Sequence, residues 1–370
     1  MRWFEKIVDF SLEDQLMFIL SRTNDLNDKD VLNRVDAILQ NKSFSYEIFL
    51  GKVIFNRMNG IIFKNMTNFN IRIHREVKLY LNMLRDSQEK RNSILKKEVI
   101  KIGNMLNNNL NYVFLKGSIL NYFIYDFGLR ISNDIDILCS REDLTEISEI
   151  LYSLGYKQGI YDNASGKIIE ATKAERLFKQ LNTHELFSFV SIKEDGVVSK
   201  LDINFQLDGA LKGEITKLFI DESINYKLGE SKISSLPIEY MYIHLAVHFY
   251  REVAMVGKIM ELSDLLLYKL YDFYYLISNN YVTKSTLEKV KVISKELGLY
   301  DHVKATHTYL NLIYPDFTPL ILEDLEYNSS FLNQYYIDIR EDRKRVWKIP
   351  LKQRISNPEK RLELTTLKEK

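Results

Sequence analysis

Tyr112-Val113-Phe114-Leu115-Lys116-Gly117-Ser118 is a short apolar run that stops at a lysine and a Gly-Ser pair, and Asp134-Ile135-Asp136-Ile137-Leu138 follows as a second run of alternating character. The first reads as a strand that opens into a helix, the second as a strand. Side chains alternate across a sheet, so Asp134 and Asp136 point to one face and Ile135 and Ile137 to the other. Two carboxylates at that spacing lie ~7 Å apart at the backbone and can converge on ions between them.

Further along, Leu201-Asp202-Ile203-Asn204-Phe205-Gln206-Leu207 repeats the alternation with Asp202 heading its polar set. If the two strands are neighbours, three carboxylates gather on one patch. Like charges oppose one another's ionisation, so such a cluster is unfavourable alone and divalent cations reverse the cost. Mg²⁺ prefers oxygen ligands and keeps positions for water or substrate phosphates. Two such ions ~4 Å apart can clamp the attacking and leaving oxygens of an in-line phosphoryl displacement. The Gly-Ser element supplies the complementary half. A strand ending in Gly117-Ser118 at a helix start presents backbone N–H groups to an anion. Gly117 permits close approach, Ser118 adds a donor, and Lys116 and Arg130 could neutralise a triphosphate.

Around this α/β segment the sequence is helical. Only five prolines and fourteen glycines punctuate the 370 residues. Residues 11–105 read as helices, with Leu12, Leu16, Ile19 and Leu20 on one face and a long amphipathic run from Val77 to Leu106. After Ser118 an amphipathic segment runs to about Gly128. A helix from about Arg141 to Leu154 is closed by Gly155. His184 to Ile192 and Val197 to Leu207 read as a strand pair turning at Glu194-Asp195-Gly196. Helices resume from Pro237 to about Ile313, and the tail beyond Arg340 is polar with a basic excess around Trp347. The expected fold class is α+β: a small mixed sheet flanked by N- and C-terminal helical regions. The expected segments are 1–105, a catalytic core at 106–236, and 237–370.

Composition narrows the class of partner. Lys plus Arg total 51 against 50 Asp plus Glu, a net charge of +1, which argues against attachment to nucleic acid by bulk charge. The single cysteine, Cys139, excludes an internal disulfide and fits a reducing compartment. The N-terminal Met1-Arg2-Trp3-Phe4-Glu5-Lys6 lacks the apolar core of a signal peptide. The greasy stretch Ile259 to Ile277 carries Glu261, Asp264, Lys269 and Asp272, which suits a buried helix better than a membrane span. The expectation is a cytoplasmic protein with no membrane partner.

Phe114-Leu115-Lys116-Gly117-Ser118, then Gly128-Leu129-Arg130, then Asp134-Ile135-Asp136-Ile137-Leu138, with Asp202 later on another strand, resembles the DNA polymerase β-type nucleotidyltransferase superfamily. The Lys-Gly-Ser and Gly-Leu-Arg flanks are most similar to a bacterial branch whose members mostly lack an assigned substrate. The resemblance is strongest over 111–207 and extends weakly to the flanking helices, including Leu270-Tyr271-Asp272-Phe273. It implies transfer of a nucleoside monophosphate from a nucleoside triphosphate such as ATP to an acceptor hydroxyl, releasing pyrophosphate, with two Mg²⁺ (or Mn²⁺) ions. It implies that Asp134 and Asp136 bind both metals and that Asp202 binds the ion that activates the acceptor. Ser118 would hold the terminal phosphates. Two departures stand out: fifteen residues separate Ser118 from Asp134, longer than the commonest spacing, and Asn204 stands where the branch carries a histidine.

The acceptor is open among a small molecule, an RNA end and a protein side chain. The near-zero charge favours the small molecule, and the basic tail pulls part of the way back. Two other classes remain. His244, His248 and Glu252 share a helix face at i, i+4 and i+8, a set that could serve a metal-dependent hydrolase, although it lacks the His-Glu-x-x-His pattern. The other is a non-catalytic binding protein on the same fold. Glu261, Asp264, Tyr268 and Asp272 form a further polar stripe, facing either a cleft or solvent. His184 begins a strand near the carboxylates, and Asp208 is the next carboxylate after Asp202.

Overall fold

Apolar residues at helical spacing build five helices before the first strand: α1 (Leu12–Ser21), α2 (Lys29–Leu39), α3 (Tyr46–Phe55), α4 (Asn59–Asn68) and α5 (Arg75–Leu106). A computed structural model describes residues 2–22, 26–106, 110–207, 211, 213–315, 334–335, 345–347, 349 and 351–356. Asp208 and most of the basic tail lie outside them. The remaining elements, in chain order, are β1 (Tyr112–Leu115), α6 (Gly117–Ile119), β2 (Ile135–Cys139), α7 (Leu144–Ser153), β3 (Lys157–Asp162), β4 (Lys167–Glu170) and α8 (Lys173–Asn182). They continue with β5 (Phe189–Ile192), β6 (Val198–Asn204), α9 (Gly213–Asp221), β7 (Ile224–Leu228), β8 (Ser231–Ser235) and α10 (Ile238–Ala254). Four helices follow: α11 (Val256–Met260), α12 (Leu267–Ser278), α13 (Lys284–Glu296) and α14 (Tyr300–Ile313). The class is α+β, with an eight-stranded mixed sheet between helical flanks.

The chain divides into two compact units, Met1–Asp86 with Leu245–Lys370, and Ser87–His244. In the first, α1 packs against α2, α3 and α4. The Ser11 hydroxyl caps α1 by accepting from the Asp14 N–H at 3.1 Å. Every residue of α1 after Leu12 is buried, including Glu13 and Asp14. Lys52 of α3 meets the Asp14 carboxylate at 2.7 Å, and Glu13 accepts from the Ser45 N–H at 2.9 Å. Two ends of the sequence meet inside this unit. The Tyr314 hydroxyl lies 2.8 Å from Ser21 Oγ, and its ring stacks on Tyr274 at 4.4 Å between centroids.

The stretch from Ile259 to Ile277 is not one helix. The chain leaves α11 at Met260, turns through Leu262 at φ 53°, and re-enters helix at Leu267. Buried polar groups account for the break: the Leu267 N–H donates to Asn56 Oδ1 at 3.0 Å, and Lys269 donates to the carbonyls of Ser263 and Asp264. Asp264 and Asp272 are buried while Glu261 is exposed and Tyr268 partly so, so the polar stripe expected here is not one continuous face. Among the described residues no helix is long and apolar enough to cross a membrane.

The second unit holds the sheet, in the order β4-β3-β5-β6-β2-β1-β8-β7. β1 and β2 run antiparallel, β2 and β6 parallel. The strand pair expected on either side of Glu194-Asp195-Gly196 is β5 and β6, antiparallel, with Asp195 and Gly196 both at positive φ. The two outer hairpins, β3–β4 and β7–β8, extend the sheet beyond the strands legible in sequence. In β6 the odd-numbered residues Ser199, Leu201 and Ile203 are buried while their even-numbered neighbours are partly exposed. β2 is buried along its whole length. Gly155, at φ 81°, ends α7 as the alternating glycines of helix termini do: its N–H and that of Tyr156 return to the carbonyls of Tyr152 and Leu151.

Candidate active site

Strand register brings the expected carboxylates together. Leu115 of β1 pairs with Asp136 of β2, and Asp136 pairs with Asp202 of β6. Residues in register across a sheet point to the same face, so Asp136 and Asp202 stand side by side. Asp134 lies two residues before Asp136, just ahead of β2.

Each of the paired carboxylates is met by a lysine. Lys116 Nζ donates to Asp136 Oδ1 at 2.9 Å. Lys200 Nζ donates to Asp202 Oδ2 at 2.7 Å, and Ser188 Oγ donates to Asp202 Oδ1 at 2.6 Å. Both oxygens of Asp202 are therefore engaged. The two carboxyl groups respond differently. Burial pushes Asp136 up to about 7; Lys116 opposes this, while the charges of Asp134 and Asp202 add to it. Burial acts in the same upward sense on Asp202, but the Lys200 charge and the hydrogen bonds from Lys200 and Ser188 outweigh it and hold that group below its ordinary value. Lys200 is raised: burial would lower it, and the charge of Asp202, followed by those of Asp134 and Asp136, prevails.

The Gly-Ser element is built around strain and close approach. Lys116 has φ 48° and ψ −122°, a conformation that costs a non-glycine residue about 1–3 kcal/mol and persists where surrounding structure enforces it. A Cβ on Gly117 would fall 2.2 Å from Ser132 Oγ, 3.0 Å from Ser132 Cβ and 3.0 Å from Arg130 Nη1. Glycine is required here by packing, and the same geometry sets the Arg130 guanidinium against the Gly117 backbone. The Ser118 hydroxyl is buried and accepts from the Asp136 N–H at 3.1 Å, tying the Gly-Ser turn to the carboxylate strand. The helix expected to run to about Gly128 is shorter: α6 passes into a π-helical turn, Leu120–Ile124. With so few aligned peptides, its dipole is weak.

Four contributors had no place in the sequence reading. Lys200 and Ser188 hold Asp202, and Ser132 abuts Gly117. Arg91 of α5 donates to the carbonyls of Asn133 at 2.8 Å and Val198 at 3.0 Å. Lys200 was findable, because strand alternation puts residue 200 on the face of residue 202. Arg91 had no such signal on a helix rich in charges. It also borders a cleft of about 450 Å³ lined by Ser87, Lys90, Tyr161, Asn163 and Val198. The cleft lies at the β5–β6 turn, where Asp195, Gly196 and Val197 complete its lining, and none of Asp134, Asp136 and Asp202 lines it. Asn204, where a histidine was expected, spans back to the Ile137 carbonyl at 3.4 Å. His184 is buried, and its carbonyl accepts from the Phe205 N–H at 2.9 Å.

His248 and Glu252 lie one turn apart on α10, and Lys269 is the third member of the cluster. Lys269 Nζ stands 2.8 Å and His248 Nε2 3.2 Å from Glu252 Oε2. Burial alone would raise Glu252, yet the charges and hydrogen bonds of His248 and Lys269 hold it well below the ordinary carboxylate range. Among the described residues no three His, Cys, Asp or Glu side chains are arranged to hold a metal ion. That statement covers His244, His248 and Glu252, and the three aspartates in their present rotamers.

With the geometry described, comparison with known proteins adds one match. The family described as "uncharacterised nucleotidyltransferase" matches residues 48–315. The chain belongs to that nucleotidyltransferase family. No curated protein and no solved structure matches it.

Proposed function

We propose that the chain transfers a nucleoside monophosphate from a nucleoside triphosphate to an acceptor hydroxyl, with Asp134, Asp136 and Asp202 at the reacting centre. The observation that carries this reading is the register of Asp136 with Asp202 beside the Gly117-Ser118 turn, in a member of a nucleotidyltransferase family. In the reaction the acceptor oxygen bonds to the α-phosphorus, the bond from that phosphorus to the leaving oxygen breaks, and pyrophosphate departs. The hydroxyl proton is released to solvent.

Magnesium fits this donor set on chemical grounds. Asp136 is a hard oxygen donor whose buried charge is incompletely offset by Lys116, the condition that a divalent cation relieves. Asp134 and Asp136 would hold it, and when bound it supplies charge neutralisation for the phosphates. The chain's own groups do the rest. The N–H groups of the Gly117-Ser118 turn would receive the terminal phosphates, with Arg130 beside them. Lys116, whose ammonium lies on Asp136 at the edge of the Gly117-Ser118 turn, would supply a cation to the phosphates. Such catalysis is mainly positioning and electrostatics. The near-balanced charge of the chain, +1 overall, favours a small acceptor over an RNA end.

Incubation with each α-labelled nucleoside triphosphate and Mg²⁺, against small-metabolite extract, total RNA and purified protein, tests the reading. Label should move to one acceptor pool with wild type and to none with Asp134→Ala or Asp136→Ala. Transfer that persists in either folded variant refutes the assignment.

A further inference from the structure

Three carboxylates around one centre would ordinarily call for two divalent ions, and the second of them would sit on the acceptor side, against Asp202. That side already has a cation. Lys200 Nζ is 2.7 Å from Asp202 Oδ2, and Ser188 Oγ takes the other oxygen at 2.6 Å. Lys200 belongs to the same strand as Asp202, two residues earlier, so the sheet itself fixes the pair on one face. The contact is intrinsic to β6 and needs no movement of another element.

Lys116 reaches Asp136 Oδ1 from a turn in a strained backbone conformation. Lys200, by contrast, reaches Asp202 along the same strand, and Asp202 is engaged at both oxygens, by Lys200 and by Ser188.

We propose that Lys200 takes the place of the second divalent cation, so that the site works with one divalent ion at Asp134 and Asp136 and a fixed ammonium on Asp202. The ammonium is held at the Asp202 carboxylate, the group assigned above to the reacting centre. There it offsets the charge that builds on the attacking oxygen and the equatorial phosphate oxygens, and it keeps Asp202 from repelling them. A lysine carries half the charge of Mg²⁺, is always present, and makes the acceptor half independent of metal concentration. This inference rests on the nucleotidyltransferase reading above, and its test separates the two.

The full-length protein is titrated with Mn²⁺ in the presence of each non-hydrolysable α,β-methylene nucleoside triphosphate, and bound Mn²⁺ is counted by the loss of the free-ion paramagnetic resonance signal. Wild type should bind one Mn²⁺ per chain with the triphosphate analogue it accepts. Lys200→Met frees Asp202 and should bind two, whereas Lys200→Arg keeps the charge and should bind one. A wild-type count of two overturns the proposal whether or not the variants fold, and so does a Lys200→Met count that stays at one in folded protein. If no analogue binds with Mn²⁺ at all, the nucleotidyltransferase reading fails and takes this proposal with it. A triphosphate bound with two ions removes only the role of Lys200.

Discussion

At Gly117 the side chain is excluded by its neighbours. A methyl group there would collide with Ser132 and press on Arg130. Gly117→Ala should therefore destabilise the protein by about 1–3 kcal/mol, the usual cost of overpacking, and weaken triphosphate binding. Ser132→Gly in the same chain removes both the Oγ and the Cβ that clash, so the double variant should recover most of the lost melting temperature; no recovery would mean the glycine is needed for another reason. Asp202→Asn keeps shape and removes charge. It should leave triphosphate affinity near normal in calorimetry and slow turnover at least ~100-fold, the scale of losing a key electrostatic group. Normal turnover would remove Asp202 from the reacting centre. Asp136 predicts a pH signature in metal-free protein. Its folded value, about 7, lies above that of an ordinary aspartate, so the folded state binds this proton more tightly than the unfolded chain. Its contribution to stability is greatest below the ordinary aspartate value and is lost as pH rises toward and through 7. Between about pH 5 and about pH 8 the melting temperature of wild type should fall relative to that of Asp136→Asn; parallel curves would contradict the raised value.

Among the elements, β6 is anchored on one face by a chain of polar contacts. On its buried face Ser199 Oγ lies 2.8 Å from the Tyr156 hydroxyl, which donates to Glu98 Oε2 of α5 at 2.7 Å. Lys193 meets the same Glu98 oxygen at 2.7 Å and covers the Tyr156 ring at 4.1 Å. The other face of β6 carries Lys200 and Asp202. The strand that presents Lys200 and Asp202 is thus fixed from behind by a buried network. Tyr156→Phe deletes one hydroxyl and leaves Ser199 and Glu98 short of a partner, which should cost about 1–2 kcal/mol in denaturant unfolding. Because it does not touch the Asp202 face, triphosphate affinity should be unchanged; a parallel loss of affinity would mean the network also sets the site. Period-two alternation made β2 and β6 visible in the sequence. It could not expose β3–β4 or β7–β8, whose residues are mixed in character and largely exposed except at a few positions.

Across the whole molecule, the helical unit has its own electrostatic centre in His248, Glu252 and Lys269. Lys269 is buried and Glu252 partly so, and removing the carboxylate charge strands the lysine, so Glu252→Gln should lower stability by about 1–3 kcal/mol. The sign with pH is opposite to that at Asp136. Glu252 is depressed, so its contribution is present above the ordinary glutamate value and is lost as pH falls through its lowered one. Chelators should leave the melting of this unit unchanged, because a lysine and not a metal balances the carboxylate; a chelator-dependent melt would revive the metal reading of His248 and Glu252.

The sequence by itself determined the local chemistry: that Asp134 and Asp136 lie two apart on or beside a strand, that Gly-Ser follows an apolar strand, and that helices flank an α/β segment. Those facts follow from periodicities of two and 3.6 residues, which are local properties of the chain. Only the tertiary structure decided which strands are neighbours, and with them the register that sets Asp202 against Asp136. It decided too that Lys116 finds Asp136, that Ser132 and Arg130 crowd Gly117, and that residues 1–86 and 245–370 share one compact unit. Charge pairing, close packing and long-range contact join residues that are tens to hundreds of positions apart. Their energies depend on distance in space, and no spacing along the chain records it.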